Sequence, residues 1–278
     1  MVIPVFDGER SVQATLDTLL CQTYPRELYE IIIVDNNSTD ETPDLVGRYA
    51  VQYPHLIRLV YEREIQGAYA ARNTGIRIAE GEILAFTDSD CLPCRDWIEK
   101  GCQSLQDSRV SFAAGRIDMI FKEQRPNIWE YLDAARKLNQ RAYVEKAGFG
   151  ATANLFVRRG LFDKYGLFRS DLQSGGDYEF GRRLTIGGEK LVYADRVIVR
   201  HPARDNFKAI LNKSRRVAKG QKQLADMGLL KHGTLSRQSL RLVRRCPEME
   251  GVFLNAKQRL VVVFMVNIVK YLNVLRRL

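Results

Sequence analysis

Ile83-Leu84-Ala85-Phe86-Thr87-Asp88-Ser89-Asp90 is a short apolar run that stops in two carboxylates, the pattern of a buried strand ending at a polar loop. Upstream, Ile31-Ile32-Ile33-Val34 is an unbroken β-branched run, as expected for a strand covered on both faces. It too ends in a carboxylate, Asp35. Asn36-Asn37-Ser38 then turns the chain, and Thr39-Asp40-Glu41-Thr42 opens a helix. Val2-Ile3-Pro4-Val5-Phe6 reads as a first strand. It starts so close to residue 1 that a native start upstream is expected. Val12, Leu16, Leu19 and Leu20 give residues 9–23 helical spacing. Ile57-Arg58-Leu59-Val60-Tyr61 reads as another strand, and residues 68–80 as a helix ended by Gly81. Strand and helix alternating in this way specify an α/β sheet whose first strands run parallel. Ligands gather at the carboxyl ends of such strands, which is where Asp35, Asp88 and Asp90 fall.

Past residue 110 the pattern is mixed. Strand pieces are expected over 149–158 and 191–200, with a helix starting at Asp177. No repeat or low-complexity linker interrupts the chain, so one domain is expected over residues 1–205.

Charge separates that domain from the C-terminal quarter of the chain. The 278 residues carry a net charge of +10. Residues 1–200 hold 26 basic and 29 acidic side chains, a balance of −3, whereas 201–278 hold 17 and 4, a balance of +13. Residues 206–278 therefore read as a basic helical extension. Ile210, Val217 and Leu224 recur every seven residues, as do Leu211, Ala218 and Ala225, among Lys208, Lys213, Arg215, Arg216, Lys219 and Lys222. Over residues 257–277, Arg259, Lys270 and Arg277 share a face flanked by Asn267 and Asn273. Val261, Val262, Phe264, Met265, Ile268, Val269, Leu272 and Leu275 fill the others. A basic helix with a wide apolar face suits an anionic membrane surface. Docking onto the domain, or a homodimer contact, is the competing use of that face.

The composition, 45% hydrophobic and 27% charged, is globular and excludes a disordered or fibrous chain. Cys21, Cys91, Cys94, Cys102 and Cys246 are an odd set that needs no disulfide framework. With no signal peptide at Met1-Val2-Ile3-Pro4 and no apolar run of about 18 residues, a cytoplasmic protein is expected, peripheral on the inner face of the membrane if the tail binds there. Cys91-Leu92-Pro93-Cys94 has neither a second ligand pair nor a thioredoxin-like context, and reads as incidental.

Two carboxylates two residues apart at a strand end can share a divalent cation, or one can hold the cation and the other a ribose hydroxyl. Hard oxygen ligands suit Mg²⁺ or Mn²⁺ bridging a diphosphate. The run of Val2-Ile3-Pro4-Val5-Phe6-Asp7, Ile33-Val34-Asp35-Asn36-Asn37-Ser38-Thr39-Asp40, Ala71-Arg72-Asn73-Thr74-Gly75 and Asp88-Ser89-Asp90, in this order and spacing, resembles family 2 glycosyltransferases of the GT-A fold. The resemblance covers residues 1–205. It implies a mixed, mostly parallel sheet with flanking helices, a nucleoside-diphosphate sugar donor, and inverting transfer to a glycan or lipid-linked acceptor in glycolipid or cell-surface polysaccharide synthesis.

The resemblance also implies roles. Asp35 reads the base through a ring N–H, Pro4 and Phe6 line that pocket, and Asn37 stands beside it. Arg72 reaches the base or the phosphates, its structural alternative being an ion pair with Asp35 or Glu41. Asp88 meets the ribose or the metal, Asp90 the metal, and His201, after the strand at 191–199, is a further metal ligand or diphosphate contact. Ser174-Gly175-Gly176-Asp177-Tyr178-Glu179 resembles the family's Glu-Asp stretch with Gly176 in the glutamate's place. That makes Asp177 the general base, Glu179 the fallback, and helix capping the structural alternative for Asp177.

Rival classes fit less well. A nicotinamide enzyme needs G-x-G-x-x-G after the first strand, which Pro4-Val5-Phe6-Asp7-Gly8-Glu9 does not supply. Nucleic-acid binding fits poorly with an acidic cleft and a tail lacking interleaved aromatics. A catalytically silent nucleotide-binding scaffold, or a membrane-associated interaction protein, is the remaining alternative.

Overall fold

The structure is a computed structural model that describes residues 1–123, 125–136, 138–230, 242–244 and 255–275, with side chains of the last segment described to Tyr271. Cys246 and Arg277, and the side chains of Leu272, Asn273 and Leu275, lie outside the described residues.

The chain begins β1 (Val2–Val5), α1 (Val12–Leu20), β2 (Ile31–Asp35), α2 (Thr42–Gln52), β3 (Ile57–Tyr61), α3 (Ala68–Ile78) and β4 (Ile83–Phe86). β5 (Leu92–Pro93), α4 (Trp97–Gln103), β6 (Phe112–Ile120), α5 (Ile128–Ala135) and the single turn α6 (Gln140–Ala142) come next. Then come β7 (Leu155–Arg158), α7 (Gly160–Tyr165), α8 (Gly176–Ile186), β8 (Leu191–Pro202), α9 (Phe207–Asp226) and α10 (Ala256–Leu275). The strands form one mixed sheet in the order β3-β2-β1-β4-β7-β6-β8-β5. β1 pairs parallel with β2 and β4, and β2 with β3. β7 runs antiparallel to both β4 and β6, as β5 does to β8.

Ile31, Ile32, Ile33 and Val34 are fully buried, which accounts for the unbroken apolar run. Each such side chain contributes about 1.5–3 kcal/mol on burial. Helix α3 lies close against this strand pair because of Gly75. A Cβ there would stand 2.5 Å from Val2 Cγ1 and 3.1 Å from Val34 Cγ2, so only glycine lets the helix approach.

β1 carries a proline in mid-strand, which a central strand does not ordinarily tolerate. The ladder explains it. The carbonyls of Met1 and Val5 accept the N–H groups of Ile32 and Asn36, so the odd residues bond to β2 and Pro4 faces β4. There the two strands share one paired position, Val2 with Phe86. The missing N–H of Pro4 therefore costs no bond, and the strands part just before Asp88 and Asp90.

By contact density the described chain forms two compact units. One comprises Met1–Asp118, Asn139–Leu172 and Gly176–His201, and the other Met119–Leu138, Gln173–Gly175 and Pro202–Leu278. In the second unit Tyr131 and Leu132 of α5, Ile210 of α9 and Val262, Val266 and Val269 of α10 share a core. Asp133, buried in α5, binds Lys213 at 2.9 Å and Arg204 at 3.1 Å. Helix α9 buries Ile210, Ser214, Ala218, Leu224 and Ala225, while Val217 and Leu211 are half-buried. Asn267, expected to flank the polar face of α10, is buried instead. Its amide spans the backbone of Val243, accepting the N–H at 2.8 Å and donating to the carbonyl at 2.9 Å. Satisfied hydrogen bonds let a polar side chain stay inside. Leu260 and Phe264 are exposed.

Candidate functional site

Asp35 closes β2 and is 2% exposed. Its Oδ2 accepts the Ser38 N–H at 3.2 Å, while Oδ1 is buried and has no hydrogen-bond partner. A buried acceptor left unpaired costs about 1–3 kcal/mol, so this oxygen is poised for a donor. The loops after β1 and β2 are laced together beside it. Asp7 donates its N–H to Ser38 Oγ at 3.0 Å and accepts that of Thr39 at 2.8 Å, and the Gly8 N–H reaches Thr42 Oγ1 at 2.8 Å. Asp7 and Asn37 both adopt positive φ, +46° and +63°, a conformation that short polar residues accept. Of the two predicted pocket-lining residues, Phe6 presents open surface, 51% exposed, and Pro4 is enclosed in β1. Asn37 is exposed, with its amide on the Arg63 carbonyl. Its neighbour Asn36 pins the loop before α3, bonding the backbone of Glu62, Ile65 and Gly67.

That loop aims α3, which delivers Arg72. The guanidinium is buried and binds Asp88 Oδ1 at 2.5 Å, so its ion partner is Asp88 rather than Asp35 or Glu41. Its Nε is buried and has no partner. Tyr69, one turn earlier, lies under the guanidinium, 5.5 Å from Cζ to the ring centroid.

Asp88, Asp90, Cys91 and His201 each place a ligand atom within 4.8 Å of the others. Strand register brings the histidine in. β5 starts directly after Cys91 and pairs with β8 at Leu92–Arg200, which sets His201 beside Cys91. From α1, the Thr15 hydroxyl holds the acidic loop, reaching the carbonyls of Ser89 at 2.9 Å and Cys91 at 2.8 Å. The three predicted metal ligands therefore meet, joined by Cys91, half of the C-x-x-C that reads as incidental in the sequence. Burial, and then the charges of Asp90 and Asp88, push the Cys91 thiol well above its ordinary value, and the set is two carboxylates and an imidazole beside a buried cysteine. Oxygen-rich sets of this kind fit Mg²⁺ or Mn²⁺.

Asp177 stands in the first turn of α8. Its Oδ1 accepts the Tyr178 N–H at 2.9 Å and the Tyr69 hydroxyl at 3.3 Å. Burial raises its pKa above the usual carboxylate range, opposed by the Tyr178 N–H, the Arg72 charge and the Tyr69 hydroxyl, while Asp88 adds to the rise. Glu179 has a different use. It is buried and held bidentately by Arg183, at 2.9 and 3.0 Å. The same guanidinium also holds the carbonyls of Tyr165, Gly166 and Leu167. Four residues that shape the site escape a reading of the sequence: Asn36, Thr42, Tyr69 and Cys91. Only Tyr69 leaves a signal there, its three-residue offset from Arg72 on a helix.

Residues 1–166 match the family model for Glycosyl transferase family 2. A glycosyltransferase named AglE, from Haloferax volcanii, is 36% identical over 224 residues, which is 81% of this chain and 73% of that protein. A poly(ribitol-phosphate) beta-glucosyltransferase of Bacillus spizizenii is 44% identical over 139 residues, covering 46% of this chain and 22% of that longer protein. Among solved structures, a mannosyltransferase from Pyrobaculum calidifontis, in complex with GDP-Man and Mn²⁺, aligns with a TM-score of 0.63 over 99% of this chain and 72% of its own. Its 20% identity carries the likeness of fold alone. With more than half the chain matched by the family model and AglE above 30% identical across four-fifths of it, this chain belongs to glycosyl transferase family 2, sugar-transferring enzymes built on the GT-A fold.

Proposed function

We propose that the chain moves a sugar from a nucleoside-diphosphate sugar to an acceptor hydroxyl with inversion at the anomeric carbon, in the making of a glycolipid or cell-surface polysaccharide. One observation carries this reading: Arg72 joins the Asp88–Asp90–His201 cluster to Tyr69, whose hydroxyl holds Asp177. Asp35 accepts a base N–H with its unpaired Oδ1, Phe6 covers the base, and Asn37 borders the pocket. Arg72 turns from Asp88 to the diphosphate as the leaving group gains charge. Asp88, Asp90 and His201 would hold a divalent cation, Mn²⁺ or Mg²⁺, which when bound neutralises the diphosphate. Asp177 takes the acceptor's proton for in-line attack on the face opposite the nucleotide.

The fold and family relatives support the donor class. The Bacillus spizizenii relative, whose name makes poly(ribitol phosphate) its acceptor, supports a cell-surface acceptor. The test is a panel of nucleotide sugars with Mn²⁺ and lipid-linked or glycan acceptors, read by release of nucleoside diphosphate and by product mass. Acceptor-dependent release from one donor is expected. Donor binding without release across the panel would favour a silent scaffold.

We assign transfer to residues 1–205 and attachment to residues 206–278, on the inner face of the membrane. Lys208, Arg215, Arg216, Lys219 and Lys222 are exposed on α9, and Leu260 and Phe264 on α10. Among the described residues no helix is long and apolar enough to cross a membrane. Vesicles containing anionic lipid are expected to sediment the protein at low salt and to release most of it by about 0.5 M salt, because attraction between exposed charges is screened. Absence of binding, with a dimer in analytical ultracentrifugation, would instead assign that face to self-association.

A further inference from the structure

Tyr69 is 7% exposed, so its hydroxyl needs a partner inside the protein. It reaches Asp177 Oδ1 at 3.3 Å, the oxygen that also takes the Tyr178 N–H. Two donors converging on one oxygen fix the rotation of a carboxylate and leave proton acceptance to the other oxygen. The phenol ring is boxed in turn. The Arg72 guanidinium lies 5.5 Å from its centroid and the Phe168 ring 5.9 Å. Phe168 is locked by Asn73, whose amide accepts its N–H at 3.0 Å and donates to its carbonyl at 2.8 Å. Tyr69, Arg72 and Asn73 come from one face of α3, at i, i+3 and i+4.

Position 176 supplies an independent observation. A Cβ on Gly176 would lie 2.8–2.9 Å from three atoms of the Tyr69 ring, closer than a real methyl approaches. The residue before Asp177 therefore has no side chain because Tyr69 fills that space. Gly176, a departure from the Glu-Asp pattern, and Tyr69 form one fitted pair.

We propose that Tyr69 is a positioning residue for the transfer reaction, its hydroxyl orienting the Asp177 carboxylate while its ring supports Arg72. One side chain thereby sets the spacing between the group that meets the diphosphate and the group that takes the acceptor's proton. This rests on the reading of Asp177 as the base. The other groups acting on Asp177 are Arg72, which favours its ionised form, Asp88, which opposes it, and Tyr143, whose own hydroxyl is raised first by burial and then by the Asp177 charge.

The test is Tyr69→Phe, which keeps the ring and removes the hydroxyl, compared with Asp177→Asn in the same assay. The donor KM of Tyr69→Phe should stay within about twofold and kcat should fall about tenfold, the loss of one hydrogen bond to a charged group. Loss of a donor to the ionised carboxylate raises its pKa, so the acid limb of kcat against pH should move to higher pH. Gly176→Ala, which displaces the ring, should shift the same limb in the wild-type background and shift it less in the Tyr69→Phe background, where only the ring's support of Arg72 is left to lose. Wild-type kcat and an unmoved limb in Tyr69→Phe, with Asp177→Asn inactive, would overturn the role of Tyr69 and leave the base assignment standing. Wild-type turnover by Asp177→Asn would remove the base assignment and this inference with it.

Discussion

Asp177→Asn is expected to bind the donor as the wild type does and to lose transfer by about 10²- to 10⁴-fold, the range ascribed to a general base. The substitution keeps shape and partners. Asn can still accept the Tyr178 N–H and the Tyr69 hydroxyl, but it cannot take a proton from an acceptor. Isothermal titration with a nucleoside diphosphate, beside a turnover assay, separates the two effects. The sign of the pH dependence comes from burial, which raises the Asp177 pKa. The working form of a base is the ionised one, so kcat should fall on acidification at a pH above that of an ordinary aspartate. Stability runs the opposite way. An acid whose folded pKa exceeds its unfolded pKa weakens the fold as pH rises through the folded value. At pH 8 the Tm of Asp177→Asn should therefore equal or exceed that of the wild type. A variant that melts lower and binds donor weakly would mean that Asp177 is structural.

Asp90→Ala is expected to abolish the part of donor affinity that depends on Mn²⁺, a loss on the order of 100-fold, and to bring turnover to background. The affinity that survives should equal the wild-type value in EDTA, because Asp35, Phe6 and Arg72 are untouched. His201→Ala, which removes one ligand of three, should weaken Mn²⁺ binding less. Asp88→Ala carries a second consequence, since it also frees the Arg72 guanidinium, bound at 2.5 Å. Its loss of Mn²⁺ binding should come with altered donor affinity even in EDTA, which distinguishes it from Asp90→Ala.

Much of the parallel half of the sheet was legible because its strands advertise themselves. A β-branched run such as Ile31–Val34 suits a strand covered on both faces, and β2 and β4 run into the carboxylates of Asp35 and Asp88. Asp35, Asp88 and Asp90 were legible for the same reason, as carboxylates at the ends of strands that can only be interior. His201 was reachable through the family resemblance alone, since what brings it to the acidic pair is the two-residue pairing of β5 with β8, too short to leave a pattern. Cys91 joins the cluster through the same pairing. The partnership of Tyr69 with Gly176 joins segments far apart in sequence, and no local spacing encodes it. Glu179 was a legible miss, since it stands four residues before Arg183 on a helix, the spacing of an ion pair. The grouping of Met119–Leu138 with the C-terminal helices was hidden because a short amphipathic helix such as α5 does not declare which neighbour covers it.

Anomalous diffraction at the manganese edge, from crystals grown with a nucleoside diphosphate and Mn²⁺, tests the central claim most directly. A single strong peak bounded by the Asp88 and Asp90 carboxylates and the His201 imidazole, touching the diphosphate oxygens, is the predicted result. Nucleotide bound with no peak there, and with both carboxylates facing away from the phosphates, would contradict it.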